Sequence, residues 1–247
     1  MFYILGFFAR TLKGVGSFAR HSQASVKILI MQILFTFVYA LGISTLLALA
    51  IGAAVNIIGA PFLINLNQQQ LIYTLLIIII TRELGPLLTA FIVIARSATA
   101  IATEIAGMVV SHEVEAYISV GVDPIQHIAV PRFLGVTISL VLLNIYFSIF
   151  GLAGSYIIAQ MFSSTPMDAY FDSLLQALSL HDILLSLIKS TAFGAIISIV
   201  AVVQGFSVER ASTEVPIAGL KAVSGAFAAC IVVNVLISVL FYVVLAQ

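Results

Sequence analysis

The side chains able to do chemistry in this chain are few, and a cluster of them lies between Thr81 and Arg132. That stretch begins TRELGPLLTAFIVIARSATAIATE and ends SHEVEAYISVGVDPIQHIAVPR. Arg82, Glu83 and Glu104, with Lys189 further along, fall inside apolar runs where hydrocarbon is expected. A charge at the centre of a bilayer costs at least about 2.5 kcal/mol, so such groups face a cavity or pair with one another. Two readings follow for Arg82, Glu83 and Lys189. Either an Arg82–Glu83 or Glu83–Lys189 pair locks helices together, or the three line a polar patch in a substrate chamber. The sequence leaves both open, and they are compatible. Arg96 and Glu104 are expected to anchor the chain at the membrane interface.

The segment from Ser111 to Pro131 offers a different chemistry. Val114, Tyr117, Ile118 and Val122 recur at helical spacing, with Glu113 and Glu115 on the other side. Gly121 and Pro124 then stop the helix, and Asp123 precedes the proline as a turn residue. A short amphipathic helix over about 111–121, held between two spans, is a natural socket for a soluble partner. A merely solvated connector would not need Tyr117 and Ile118.

Other chemistries lack their residues. No G-x-x-x-x-G-K-[ST] run is present, so the chain has no loop to cradle ATP phosphates. No G-x-S-x-G nucleophile elbow occurs. His21, His112, His127 and His181 are scattered, and Cys230 is the lone cysteine, so neither a metal cluster nor a disulfide is expected. A formal net charge of zero gives no basic field for nucleic acid.

The elements that must position these groups are membrane helices. The chain is 62% hydrophobic and 8% charged, with mean hydropathy +1.22, whereas soluble domains are about a quarter charged. Apolar runs predict five spans at about 28–58, 71–110, 133–161, 183–206 and 222–245, each long enough at about 20 residues to cross. Residues 1–27, where Arg10, Lys13 and Arg20 interleave with phenylalanines, read as an amphipathic interfacial segment with snorkelling cations and no cleavable signal peptide. Lys and Arg outside the membrane collect on one side, together with the N-terminus. The connections at 59–70 and 162–182 and the C-terminus carry none. The positive-inside rule therefore puts the N-terminus in the cytoplasm and the C-terminus outside it. A single helix over 71–110 would be about 60 Å long, so a bend is expected, with Gly85 and Pro86 as the kink. Small residues repeat every four positions at Ala40, Ser44, Ala48 and Gly52, at Ala98, Ala102 and Ala106, and at Gly151, Ser155 and Ala159, which predicts close helix contacts.

The motifs RELGP at Arg82–Pro86, AR-S-A-A-TE across Ala95–Glu104 and GVDP–PR across Gly121–Arg132, with LIKS at Leu187–Ser190, resemble the MlaE/YrbE permeases of MCE-type lipid ABC transporters. The likeness runs from about Ile28 to the C-terminus. It implies an all-α integral membrane protein with five transmembrane helices, an N-terminal interfacial helix, a permease domain over 28–247 and a cytoplasmic coupling helix between spans two and three. It further implies a homodimer, each copy docked on a cytoplasmic ABC ATPase through Glu113–Pro124, a periplasmic MCE-domain protein and often a STAS-domain protein. ATP and magnesium would sit on the ATPase, with no cofactor on this chain, and glycerophospholipid would be the cargo. The setting would be the inner membrane of a bacterium with an outer membrane. Arg82, Glu83 and Lys189 match positions lining or bordering the family's cavity. The end of the first span, GAAVNIIGAPFLINLN, departs from the glutamine-and-tyrosine pattern of many members. Two rival readings remain: an ion-coupled secondary transporter using Glu83 as a relay, for which no internal repeat is evident, and an anchor subunit that moves nothing.

Overall fold

A computed structural model describes residues 11, 23–68, 70–162, 166–209 and 211–245. The interfacial segment expected around Arg10, Lys13 and Arg20 lies outside these residues, as does Arg210. Five helices are long and apolar enough to cross a membrane: Val26–Asn65, Leu71–Val110, Ile125–Gln160, Leu180–Phe206 and Glu214–Val243. No strand occurs among the described residues, so the chain is an all-α membrane protein. Two short helices, Glu113–Ser119 and Met167–Ala177, connect spans two to three and three to four at opposite ends of the bundle.

Span boundaries run beyond those that hydropathy predicts. The first span continues through Gly59 and Pro61 to Asn65, because a proline removes one intrahelical bond while Phe62, Leu63 and Ile64 keep an apolar surface. The stop comes at Asn67, in the left-handed region at φ +54°, where the Gln68 and Asn67 N–H groups donate to the Leu63 and Ile64 carbonyls. That is a Schellman end with asparagine in the usual glycine place. The third span starts at Ile125, before Pro131 and Arg132, so part of the segment assigned to the connector is helix. The fourth starts at Leu180, where Ser179 and Asp182 form a reciprocal capping box.

Small residues set the packing distances. Ser44, Ala48 and Gly52 are buried, and a Cβ on Gly52 would lie 2.4 Å from the Gly151 carbonyl oxygen of the third span. Ala98, Ala102 and Ala106 are fully enclosed, with Gly205 of the fourth span against Ala102 and Ile105. Between helices, polar bonds add direction. Ser97 of the second span donates to the Thr36 hydroxyl of the first, which also accepts from Gln32 on its own helix, and Asn56 donates to the Ser155 carbonyl of the third span. The helix Met167–Ala177 is tied down by Tyr170, whose hydroxyl lies 2.7 Å from Ser155 Oγ. Burial raises the Tyr170 pKa above its usual value, with the Ser155 bond opposing.

The second span is one continuous 40-residue helix with two wider π-type stretches, Ile77–Leu84 and Ile94–Ala98. The irregularity thus falls one turn before the expected Gly85–Pro86 kink. Gly85 is nonetheless its hinge pin, because a Cβ there would lie 2.3 Å from the Ile80 carbonyl oxygen, five residues back. Pro86 follows in the first turn of the α-helical Gly85–Val93, and because the helix continues through it, its missing N–H leaves the carbonyl four residues back without an α-helical partner. Replacing Gly85 by alanine should therefore cost about 1–3 kcal/mol, the range for forcing atoms into a packed core. A clearly lowered unfolding temperature in detergent would show it, and an unchanged one would remove glycine from the account of this π turn.

Candidate functional site

Near the Met167–Ala177 end, three spans converge on one charged network. Lys189 of the fourth span donates to Glu83 Oε2 at 2.7 Å, to Ser238 Oγ of the fifth at 2.7 Å, and to the Arg82 carbonyl at 3.3 Å. Ser238 Oγ also donates to Glu83 Oε2 at 3.2 Å. Arg82 Nη1 reaches Asp182 Oδ1 at 3.4 Å, while its Nε stands 3.7 Å from Glu83 Oε1. The guanidinium carbon lies 4.7 Å and 4.5 Å from the ring centroids of Phe241 and Tyr242, within cation–π range. The Lys189 side chain is 0% exposed and that of Glu83 is 27% exposed.

Local sequence explains why the network forms here. In an α-helix the Arg82 carbonyl would accept from the N–H of residue 86, but residue 86 is proline and has none. The Lys189 ammonium donates to that carbonyl instead. Asp182 is positioned by the fourth span's own cap, its Oδ2 accepting from the Ser179 N–H and hydroxyl and leaving Oδ1 for Arg82. Two cations and two carboxylates make the network formally neutral, and it carries both positive and negative surface within a few residues.

The sequence brings Arg82, Glu83 and Lys189 into view as the intramembrane charges, and the structure joins them in one network. Asp182, Ser238, Phe241 and Tyr242 escape sequence reasoning. Asp182 had a readable signal, the S-x-x-D cap at Ser179, whereas Ser238 is a single hydroxyl in an apolar run and carries none. Glu104 and Arg132 likewise form a pair: Arg132 Nη2 lies 2.7 Å from Glu104 Oε1 and Nη1 donates to the Ile128 carbonyl at 3.1 Å. Glu104 is thus more than an interfacial anchor. Arg96 donates to the Tyr39 carbonyl and stands 5.6 Å from the Tyr39 ring, tying the first span to the second.

At the opposite end, the helix Glu113–Ser119 is bounded by two left-handed residues, His112 at φ +63° and Gly121 at φ +79°. The Val122 N–H donates to the Tyr117 carbonyl and the Gly121 N–H to the Ile118 carbonyl, completing a Schellman end. Asp123 Oδ1 then accepts from the Ile125 N–H and starts the third span beside Pro124. The expected apolar face is divided. Val114 and Tyr117 turn partly inward, Tyr117 with its ring 5.2 Å from that of His127. Ile118 and Val120 are 61% and 73% exposed, with Val122 beside them. Glu113 and Glu115 are exposed, Glu113 accepting from Ser111 Oγ and Glu115 lying 2.9 Å from His112 Nδ1.

Comparison with known proteins agrees with this architecture. The family model described as Permease MlaE matches residues 29–240. A probable ABC transporter permease protein of Rickettsia prowazekii is 30% identical over 217 residues, covering 88% of this chain and 84% of that one. The chloroplastic protein trigalactosyldiacylglycerol 1 of Arabidopsis thaliana is 30% identical over 162 residues, 66% of this chain and 46% of its own length. The intermembrane phospholipid transport system permease protein MlaE of Haemophilus influenzae is 26% identical over 174 residues, 68% of this chain and 67% of that one.

Removing one partner of an enclosed ion pair typically costs about 3–5 kcal/mol, because the other charge is left uncompensated. Lys189→Met should accordingly lower stability sharply, and adding Glu83→Gln should recover a large part of the loss. A thermal-stability cycle over the two single variants and the double variant measures the coupling. Additive effects would mean that the two groups do not act as a pair. Separately, Gly121→Ala should cost about 1 kcal/mol through its positive φ and raise amide exchange across 113–122.

Proposed function

Because the chain belongs to the MlaE permease family, it is a multi-pass membrane permease subunit, and we propose that it moves glycerophospholipid between the inner membrane and a periplasmic MCE-domain partner, driven by a separate cytoplasmic ABC ATPase. The carrying observation is the second span. It runs without a break from the Arg82–Glu83 network to the connector that presents Ile118 and Val120. The work is that of a transport subunit rather than an enzyme, with ATP and magnesium held by the ATPase and no cofactor on this chain.

In this reading two copies pair around a cavity bordered by Arg82, Glu83 and Lys189, and a STAS-domain protein can join the assembly. The N-terminus and the helix Glu113–Ser119 face the cytoplasm, while the C-terminus and Met167–Ala177 face the periplasm of a bacterium with an outer membrane. The name of the Haemophilus relative supports phospholipid as cargo. Chemistry supports it as well. A phospholipid is a zwitterion or anion on a hydrocarbon body, and the network offers cations for its phosphate and carboxylates for an amine beside apolar helix faces. A phosphate would draw on Arg82, whose side chain keeps some exposure, rather than on the enclosed Lys189. ATP-driven movement of the ATPase would push on Glu113, Val114, Glu115, Tyr117 and Ile118, with Gly121, Asp123 and Pro124 fixing how that push enters the third span. The bundle would shift between lipid-open and collapsed states by the difference in ATPase affinity for the two.

Ile118→Asp with Val120→Asp should abolish co-purification of the ATPase and leave the permease folded, because both side chains are exposed. Glu115→Lys should weaken coupling of ATP hydrolysis to phospholipid transfer in liposomes. ATPase retention at the native level by the double variant would refute the docking role. Absence of phospholipid from the intact complex, by extraction and mass spectrometry, would refute the cargo.

A further inference from the structure

A second group of charges stands at the opposite end of the bundle from the Lys189 network. There the first, second and third spans border a cleft of about 460 Å³, within the roughly 300–1,000 Å³ of pockets that hold small ligands. Lys27, Met31 and Phe35 of the first span, Glu104 of the second and Arg132 of the third line it. Tyr117 of the connector and His127, with ring centroids 5.2 Å apart, line it as well. Lys27 is the last charged residue before the uncharged run 28–65, and Arg132 the last before 133–167. Charge is expelled from hydrocarbon, so both mark the membrane boundary at the connector end, where lipid head groups lie.

The three charges differ in what they leave free. Arg132 is engaged with Glu104 Oε1 and the Ile128 carbonyl, and its side chain is only 7% exposed. The Glu104 side chain is 60% exposed, and its Oε2 accepts no bond among the described residues. Lys27 is exposed and has no ion-pair or hydrogen-bond partner among the described residues. A ligand in this cleft therefore meets one accessible ammonium and one accessible carboxylate. Beyond them the wall is apolar. Lys27, Met31 and Phe35 recur every four residues in the helix Gln23–Phe37 and share one face. Met31 and Phe35 are exposed, and the exposed Tyr39 continues the stripe, its ring edge-on to Phe35 at 5.6 Å. The stripe runs from a charge at the boundary into hydrocarbon, which is the polarity of a lipid molecule.

We propose that this cleft holds a glycerophospholipid whose head group carries a primary ammonium, drawn from the leaflet at the connector end. Its phosphate meets Lys27, its ammonium meets Glu104 Oε2, and an acyl chain lies along Met31, Phe35 and Tyr39. A head group with a phosphate alone would bring a second negative charge against Glu104. A quaternary ammonium has no N–H to donate to the carboxylate. A primary ammonium has three, and hydrogen bonds between charged groups are the stronger kind. A soluble head group shares these charges but leaves the apolar stripe uncovered. The site lies at the other end of the bundle from Arg82, Glu83 and Lys189, so a lipid held here is resident whether or not lipid is also cargo.

The test uses the full chain in nanodiscs of phosphatidylethanolamine, phosphatidylglycerol and phosphatidylcholine in equal parts with identical acyl chains. An aliphatic diazirine amino acid replaces Met31, or Leu46 as a control, both exposed on the first span. After illumination, mass spectrometry identifies the lipid attached at each position. The ratio of phosphatidylethanolamine to phosphatidylglycerol adducts should be about tenfold higher at position 31 than at 46, a preference of about 1.4 kcal/mol. Phosphatidylcholine should be disfavoured at position 31 in the same way. Lys27→Gln should lower phosphatidylethanolamine adducts there about tenfold, the loss of one charge-assisted contact, and leave those at 46 unchanged. Lys27 is exposed and unpartnered, so this variant stays decisive if Glu104→Gln lowers stability by freeing Arg132. Glu104→Gln should raise phosphatidylglycerol adducts at position 31 to the level of phosphatidylethanolamine, because no carboxylate then opposes an anionic head group. Glycerophosphoethanolamine, the free head group, should not compete at matched concentration. Equal lipid ratios at positions 31 and 46 overturn the proposal, and so do unchanged ratios in either variant. Adducts at position 31 to the N-terminal residues or to a second copy in place of lipid overturn it too, as does full displacement by the free head group.

Discussion

The structure depends on keeping one ammonium group alive in hydrocarbon. Lys189 has no exposed side-chain surface, so every partner its three protons need must come from the protein. Glu83, Ser238 and the Arg82 carbonyl supply them, and those groups belong to the second and fifth spans while Lys189 belongs to the fourth. Three helices must therefore meet at one depth and one rotation. Hydrophobic burial cannot impose that register, because lipid tails satisfy leucine and isoleucine as well as another helix does. The fifth span shows the contrast: only 11% of its most apolar window is buried inside the chain. Its Ser238, Phe241 and Tyr242 nevertheless hold it to Lys189 and Arg82.

The same constraint gives the irregular second span a purpose. A proline at residue 86 strips the Arg82 carbonyl of its α-helical partner, and the π turns of Ile77–Leu84 shift the register around it. Both would be costs in an isolated helix. Beside Lys189 the freed carbonyl becomes an acceptor that an enclosed ammonium requires. Gly85 permits the arrangement by leaving room for the Ile80 carbonyl. The motif RELGP is thus readable as one device: a cation, a carboxylate, a glycine for the close turn and a proline that releases a carbonyl.

Much of this is legible in the amino-acid sequence, and the limits follow from what hydropathy can encode. Five spans follow from apolar run length alone, and the small-residue stripes through Gly52 and Ala102 mark true close contacts. The ends are less visible, since Asn67, Ser179 and Ile125 act through backbone bonds and caps that mean hydropathy averages away. The charged network is half visible. Arg82, Glu83 and Lys189 stand out because charge is rare in membrane helices, but their partner Ser238 differs little from any other serine in an apolar run, and Asp182 is marked only by the S-x-x-D cap that opens the fourth span. The amphipathic connector is legible as a helix, yet its apolar positions divide between the bundle and solvent. The 3.6-residue period gives spacing and does not say which side of a two-turn helix has a neighbour.

The two ends of the second span differ in how they are built, and that difference bears on how a push at one end is felt at the other. From Glu83 to Val110 the helix covers about 40 Å at 1.5 Å per residue, and most of that length is enclosed by the third, fourth and fifth spans. A helix so held cannot slide by a fraction of a turn without breaking knob-and-groove contacts at Ala98, Ala102 and Gly205. It can tilt or bend at places where its hydrogen-bond ladder is already loosened, which are the π stretches at Ile77–Leu84 and Ile94–Ala98. One of these carries Arg82 and Glu83 of the charged network. The other carries Arg96, bonded to the Tyr39 carbonyl of the first span. A displacement of the connector in the proposed cycle would therefore reach first the contact between spans one and two and then the three-span junction at Lys189. There the ion pairs resist separation more strongly than the apolar faces around them.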